Sequence, residues 1–385
     1  MHILLLPSWY PANSNDIRGC FFREQALMLV KAGYQVGVVT SELRSLKNWS
    51  SIFSLNHGIF YENDNNIRTV RFKTMYWFPK MPTLIRSLSL IGGKIALERY
   101  IKKFGKPDLI HVHSCLYMGE LAIYASLKYK IPYVVTEHSS GYFRKIYNQQ
   151  QLDITRSIFE NSNANIAVSK KMANYLSKNI YSDKEWNVIP NIVDSNFLST
   201  ELLNKKNKKF KFLNVAFMNE NKKQLNLIKA FEKLKNSGVD DIELILVGDG
   251  EEKITLVNYV NVHEIKDVLF LGKKNRKEIS EIMIHCDCFV LSSKFETFGV
   301  VLIEALASGM PLISTKCGGP EDIVNESNGI LVEPDNVEEL ALAMRELKNS
   351  IQNYNKNDLR KECEEIYSES SILKKLSKLY QNSSI

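Results

Sequence analysis

The sequence lacks any paired-cysteine motif. Its six cysteines, Cys20, Cys115, Cys286, Cys288, Cys317 and Cys363, are scattered and none falls in a C-x-x-C pair. That spacing argues against a zinc site and a disulfide framework, and predicts reduced thiols in a cytoplasmic setting. No stretch reaches the roughly 18 apolar residues that a membrane-spanning helix needs. The segment Met1-His2-Ile3-Leu4-Leu5-Leu6-Pro7 has no basic start and only a short apolar run, so it does not read as a secretory signal. Low-complexity sequence is absent too. A net charge of +7 on 385 residues is far from the concentrated basic footprint of a nucleic-acid binder. Nucleic acid is therefore not an expected partner, whereas an anionic small molecule or an anionic membrane surface suits the charge. These absences predict a cytoplasmic protein, with peripheral attachment to the inner face of the plasma membrane as an open expectation.

What is present is a globular composition, 44% hydrophobic and 24% charged. A single core stops growing well before this length, so two domains are expected. Short apolar runs alternate with helical patterns, which predicts an α/β fold with parallel sheets. In the first half the predicted strands are His2 to Leu6, Tyr34 to Thr40, Leu109 to His113, Tyr133 to Thr136, Ile166 to Val168 and Val188 to Ile189. Cys20 to Lys31 reads as a helix with Gly33 placed to cap it. Leu203-Asn204-Lys205-Lys206-Asn207-Lys208-Lys209 is polar and basic and reads as a surface linker. After it the alternation restarts, with strands at Phe212 to Phe217, Glu243 to Val247, Val268 to Leu271, Cys288 to Leu291, Pro311 to Ser314 and Gly329 to Val332. Right-handed crossovers then give two doubly wound, Rossmann-like domains. The expected boundaries are 1–197, a linker over 198–211, 212–360, and a helical tail over 361–385 packing back on the first domain.

The densest chemical signal runs from Ser292 to Pro311. A strand ends near Leu291, a loop carries Glu296 and Gly299, and a helix continues towards Ser308 with Glu304 a little over one turn inside. The first amides of such a helix lack internal acceptors and sit at the positive end of its dipole, where a phosphate fits. Gly299 lets a ligand approach the backbone. Glu296 and Glu304 can accept hydroxyl hydrogen bonds from two ends of one extended ligand, such as a nucleotide sugar. Either glutamate taken singly reads more simply as a solvated loop residue or a surface ion pair.

The pattern E-x-x-x-x-x-x-x-E followed by Ala-x-Ala-x-Gly-x-Pro resembles the signature of the group 1 glycosyltransferases, family 4, of GT-B fold. Further blocks match in the family's order. They are Ser8-Trp9-Tyr10-Pro11 with Gly19, Asp108 to His113, Thr136-Glu137-His138, Ala167-Val168-Ser169, Ile189 to Asp194, Leu246 to Gly250, Phe270-Leu271-Gly272 and Gly318-Gly319-Pro320-Glu321. The resemblance implies two domains facing across a cleft, and retaining transfer of a sugar from a nucleotide-sugar donor to a hydroxyl of a glycan or lipid-linked acceptor in surface-polysaccharide synthesis. It implies no metal and no cofactor, the nucleotide sugar being a co-substrate. Residue by residue it assigns Glu304 to the ribose hydroxyls, Glu296 to the donor sugar, and Lys222 to the diphosphate as a point charge. Backbone contacts to sugar and diphosphate fall to Gly299, Val300 and Val301, and the base lies beside Leu271. Gly19 brings the N-terminal loop to the phosphate, and His138 lies near the sugar. Phe298 and Gly248 complete the donor-site assignments. One departure stands out: the family's arginine five residues before the lysine is Phe217 here, and the glycine after it is Lys223, so Lys223 is a candidate substitute cation.

The same residues admit other readings. His111, His113 and His138 suggest a metal only weakly, because the family has the strand histidine without one. Gly248-Asp249-Gly250 opens a dinucleotide fingerprint but Lys253 occupies the third glycine position. A non-catalytic glycosyltransferase-like scaffold would be favoured by loss of a motif glutamate, and both are present. A sugar-nucleotide epimerase on the same fold remains a rival, as does a phosphorylase, for which no pyridoxal-phosphate lysine motif stands out. The cationic segment from Arg68 to Lys106 includes Tyr76, Trp77, Phe78, Met81, Leu84 and Ile85 with Arg71, Lys73, Lys80 and Arg86, and continues through Lys94, Arg99, Lys102, Lys103 and Lys106 with Glu98 as its one acidic residue. It reads either as a membrane-surface contact or as an amphipathic helix packed on the sheet.

Overall fold

The computed structural model describes residues 1–11, 19–45, 57–76, 81–202 and 208–383. The chain divides into two compact units. The first comprises Met1–Val168, Ala173–Ile189 and Leu373–Ile385, and the second Ser169–Met172 and Pro190–Ile372.

The first unit is a sheet flanked by helices. Its strands are β1 (His2–Pro7), β2 (Gln35–Ser45), β3 (Gly58–Asp64), β4 (Ile67–Tyr76), β5 (Leu109–His113), β6 (Tyr133–Glu137), β7 (Ala164–Ala167) and β8 (Trp186–Val188). The order among the described residues is β3-β4-β2-β1-β5-β6-β7-β8. β1 is buried along its whole length and pairs in parallel with β2 and β5, which is why it reads as an unbroken apolar run rather than an alternating one. The helices are α1 (Cys20–Lys31), α2 (Pro82–Phe104), α3 (Gly119–Tyr129), α4 (Gln149–Asn161) and α5 (Lys170–Asn179).

The segment read as cationic and aromatic resolves into two elements. β4 is the second strand of an antiparallel hairpin with β3, and Asn65 and Asn66 take φ of 50° and 68° at its two-residue turn. Trp77, Phe78 and Lys80 lie outside the described residues. Three of the cations in that segment, Arg71, Lys73 and Arg86, are committed to partners within the protein. Arg71 is buried; it pairs with Glu42 and Glu62 and donates to Pro11 O at 2.9 Å. Lys73 sits 4.8 Å from the centre of the Phe60 ring and 3.8 Å from Glu62. Arg86 grips Glu120 with two hydrogen bonds of 2.7 and 2.5 Å. The outward stripe of α2 carries the exposed Ile91 and Ile95 together with Glu98 and the expected cations Arg99, Lys102 and Lys103.

The second unit repeats the scheme. Its strands are β9 (Phe210–Val215), β10 (Ile242–Val247), β11 (Val268–Gly272), β12 (Cys288–Leu291), β13 (Leu312–Thr315) and β14 (Gly329–Val332), all parallel, in the order β11-β10-β9-β12-β13-β14. Its helices are α6 (Ser195–Ser199), α7 (Gln224–Asn236), α8 (Lys253–Val262), α9 (Arg276–Met283), α10 (Val300–Ala307), α11 (Val337–Asn349) and α12 (Lys356–Tyr367). Phe212, Leu227, Phe231, Leu244, Val290 and Met344 form the centre of one of its cores. Within the expected 198–211 linker, residues 203–207 lie outside the described residues. The last helix, α13 (Glu369–Ser383), joins the first unit from Leu373 onward.

Candidate active site

In both sheets the winding reverses beside the first strand, between β1 and β5 in one and between β9 and β12 in the other. Open parallel sheets bind ligands outside the carboxyl ends of the strands at such a reversal. In the second unit the loops leaving the sheet there are 216–223 and 292–299, and they carry Lys222 and Glu296.

These loops are tied together by short bonds. Ser292 Oγ donates to Lys222 O at 2.8 Å, Asn221 Nδ2 to Phe295 O at 3.0 Å, and Lys294 N to Asn221 O at 2.8 Å. Lys222 Nζ forms an ion pair with Glu296 Oε1, and Ser293 Oγ donates to the same oxygen at 2.9 Å. Glu296 N donates to Cys317 O at 2.9 Å, and its carbonyl accepts from Gly319 N at 2.8 Å. A Cβ on Gly319 would lie 2.2 Å from Phe298 Cα, so only glycine lets this loop come so close. A sequence-distant lysine and glutamate are thereby held as one charged unit by three loops.

Gly299 caps α10 in the left-handed region, φ 92°, and Val300 and Val301 begin the helix. Their amides head a helix dipole and have no intrahelical acceptor. The Phe298 ring is buried, 5.9 Å between centroids from Tyr367, which leaves its backbone as what it offers a ligand. Glu304 is 6% exposed. Arg276 Nη2 donates to Glu304 Oε1 at 2.7 Å, and Arg276 Nε donates to Asp194 Oδ2 at 2.7 Å. Burial, the largest cause, pushes the Glu304 carboxyl above its ordinary value; Arg276 opposes this and Asp194 adds to it.

Around this centre, Lys223 caps α7 with φ 51°, its Nζ 3.8 Å from Glu220, while Phe217, in the place of the family arginine, is 58% exposed. Leu271 ends β11 beside a pocket of about 420 Å³ that Lys274 and Glu278 also line. Gly248 follows β10 with φ 140°; a Cβ there would lie 1.9 Å from Ala216 O, so its absence lets the loop ends of β9 and β10 touch.

Gly19 and His138 belong to the first unit. Gly19 caps α1 with φ 71°, and a Cβ would meet the Trp9 ring at 2.7 Å. His138 is buried against Phe21 and Phe22, and its Nε2 lies 3.1 Å from His113 Nδ1. Burial depresses the His138 pKa to about 3. His111 is likewise depressed to about 3 by burial first and His138 second, and its two nitrogens meet Tyr380 Oη and Thr136 Oγ1, each at 2.7 Å. Among the described residues there is no group of three His, Cys, Asp or Glu side chains that could hold a metal ion.

Sequence reading placed Lys222, Glu296, Glu304 and the Gly299 turn on the loops and helix where the second unit carries them. It missed Arg276 and its tie to Asp194. Asp194 stood in a matching block, but nothing in the spacing links the first residue of one helix to a glutamate inside another.

Two family models match the chain nearly end to end: Glycosyltransferase Family 4 over residues 21–197 and Glycosyl transferases group 1 over residues 199–366. The chain belongs to the group 1 glycosyltransferases. Relatives of this glycosyltransferase include N-acetyl-alpha-D-glucosaminyl L-malate synthase of Bacillus anthracis, 28% identical over 59% of this chain and 61% of that one. The chain thus spans less than two thirds of that relative's length. The putative teichuronic acid biosynthesis glycosyltransferase TuaC of Bacillus subtilis is 28% identical over 89% of this chain and 88% of its own. Among solved structures, sucrose-phosphate synthase of Thermosynechococcus elongatus superposes with a TM-score of 0.80 at 20% identity, covering 99% of this chain and 98% of that one. Anabaena HepE in complex with UDP and glucose gives 0.72 at 18% identity, with 99% of both chains covered. The glycosyltransferase has the GT-B fold of these neighbours.

Proposed function

We propose that this glycosyltransferase transfers a sugar, with retention of anomeric configuration and without a metal ion, from a nucleotide-sugar donor to a hydroxyl of a glycan or lipid-linked glycan. The observation that carries the reading is the Lys222–Glu296 pair held at the loops that lead to the first turn of α10, with Glu304 buried farther along that helix. The diphosphate takes Lys222 and the α10 amides, where a developing negative charge is stabilised by groups already in place. Glu296, released from Lys222, accepts from the donor sugar's hydroxyls, and Glu304 accepts from the ribose. His138 of the first unit is kept neutral by burial, so a hydrogen bond from it carries no charge. The acceptor hydroxyl attacks from the face the nucleotide leaves, and the departing phosphate takes its proton. The protein contributes positioning and electrostatics and no nucleophile.

The neighbours' ligands support a uridine nucleotide, since HepE is described with UDP and UDP-glucose and TarM with UDP. TuaC and the L-malate synthase support glycan and N-acetylglucosaminyl chemistry in cell-surface or small-molecule products. No helix among the described residues is long and apolar enough to cross a membrane. A cytoplasmic site of action with α2 resting on an anionic lipid surface fits the exposed isoleucines and cations of that helix.

The test is a screen of common UDP-, GDP- and ADP-sugars with a pool of glycans and lipid-linked glycans as acceptor. One donor should be consumed with release of its nucleoside diphosphate, and proton NMR should show the donor's anomeric configuration in the product. An inverted product would overturn the retaining mechanism. Epimerised donor would assign an epimerase, and inertness towards every donor would favour a scaffold subunit.

A further inference from the structure

Three helices of the second unit each contribute one charged group to a buried cluster. Asp194 is the N-cap of α6, and its Oδ1 accepts from Asn196 N at 2.8 Å. Arg276 is the first residue of α9, whose own start is fixed by a capping box between Asn275 and Glu278. Glu304 comes from the interior of α10. The Arg276 guanidinium forks between the two carboxylates, with Nε on Asp194 and Nη2 on Glu304, and lies 5.6 Å from the centre of the Phe197 ring. The side chains of Asp194, Arg276 and Glu304 are only 11, 21 and 8% exposed. Among the described residues, no hydrogen bond reaches Glu304 Oε2.

The three charges sum to minus one, in a place where water screens little. A buried carboxylate facing a second carboxylate takes up a proton readily unless a cation is fixed beside it. A protonated Glu304 would bring a donor to the ribose hydroxyls where an ionised one brings only acceptors. We propose that Arg276, oriented by Asp194, is a positioning residue that keeps Glu304 ionised and leaves Oε2 turned to the ribose of the nucleotide. The inference rests on the reading of Glu304 as the ribose-holding carboxylate.

Other groups packed on α10 do not supply this charge. From α12, Arg360 gives its hydrogen bonds to the carbonyls of Ala307, Phe197 and Thr200, and the Cys363 thiol donates to Ile303 O. From β12, Cys288 is a buried thiol whose pKa burial drives up, so it stays neutral. β13 carries no ionisable side chain, and α6 contributes only its cap, Asp194. The Glu304 carboxyl is shifted upward by burial first and Asp194 second, and Arg276 is the group that opposes them.

The test is calorimetric titration of the full chain with UDP, GDP and ADP across about pH 6 to about pH 9, for wild type, Arg276→Gln, Arg276→Lys and Glu304→Gln. Each variant is expressed as a ratio to wild type at the same pH, which cancels titration of the nucleotide's own phosphate. Arg276→Gln should bind roughly 10- to 100-fold more weakly at the acid end and recover much of that loss at the alkaline end, where Glu304 ionises unaided. Arg276→Lys should restore the level profile, and Glu304→Gln should lose affinity equally at every pH. Turnover at saturating donor should be unchanged in Arg276→Gln, so that the loss falls in KM. A pH-independent loss in Arg276→Gln, or none, overturns the inference while leaving the ribose assignment standing. Wild-type affinity in Glu304→Gln, or no nucleotide binding by wild type, overturns the ribose assignment itself and this inference with it.

Discussion

Lys222 and Glu296 stand 74 positions apart and are joined as an ion pair. Each residue alone reads as an ordinary surface charge. What distinguishes them is that backbone bonds among three loops, and a glycine at 319 that no other residue could replace without collision, hold the pair in place. The first unit holds a second group of residues with an unusual state. His111, His113 and His138 are all buried and all depressed, His111 and His138 to about 3, with burial the largest cause in each. These rings are neutral in the folded protein, whereas in the unfolded chain they take protons below the ordinary value of 6.5. The unfolded state then binds more protons, so their contribution to stability is fully present above that value and is lost as the pH falls from there towards about 3. Each ring that stays neutral removes roughly 1.4 kcal/mol of stability per pH unit in that window. Thermal unfolding followed by near-ultraviolet circular dichroism should show a midpoint that drops between about pH 7 and about pH 5, above the range where most carboxylates titrate. A level midpoint across that interval would contradict the neutral assignment.

At the scale of elements, the hairpin β3–β4 and helix α2 were the least legible part of the chain. The cations of Arg68 to Lys106 looked like one amphipathic surface because sequence shows charge but not which acid each base meets. Arg71 lies in β4 and pairs with Glu62 of β3 and Glu42 of β2, and Arg86 meets Glu120 from α3. The turn at Asn65-Asn66 did carry a hairpin signal, since asparagine tolerates the left-handed region better than most residues. With those cations removed, the surface that could meet lipid is the α2 stripe of Ile91, Ile95, Arg99, Lys102 and Lys103. Lys103 also rests 3.9 Å from the centre of the Tyr61 ring, an arrangement that leaves its charge outward-facing only in part. Each cation near an anionic surface contributes about 1 kcal/mol, so three give weak, reversible attachment. Co-sedimentation should show binding to liposomes with anionic lipid and little to neutral ones, reduced when Arg99 and Lys102 are both changed to Glu. Equal sedimentation by that variant, or none by wild type, would remove the membrane as a partner.

At the scale of the whole molecule, the fold was largely legible. Parallel strands buried on both faces write themselves as apolar runs, and the runs at β1 and β12 are of that kind. The strand order follows from right-handed crossovers, and the order places the loops after β9 and β12 side by side. The placement of Lys222, Glu296, Gly299 and Glu304 was legible because they are local to those two loops and to α10. Arg276 and Asp194 were not, because their relation to Glu304 is created only when three helix ends are packed together. On the proposed function, Lys222 and Glu296 form the heart of a nucleotide-sugar site. The most direct test of that reading is the rate of nucleoside diphosphate release from the preferred donor by wild type, Lys222→Ala and Glu296→Ala, with thermal midpoints confirming that all three are folded. Both substitutions should lower the rate on the order of 100-fold, the size expected for losing one prearranged charge, with midpoints near wild type. Release at the wild-type rate by both folded variants would contradict the account.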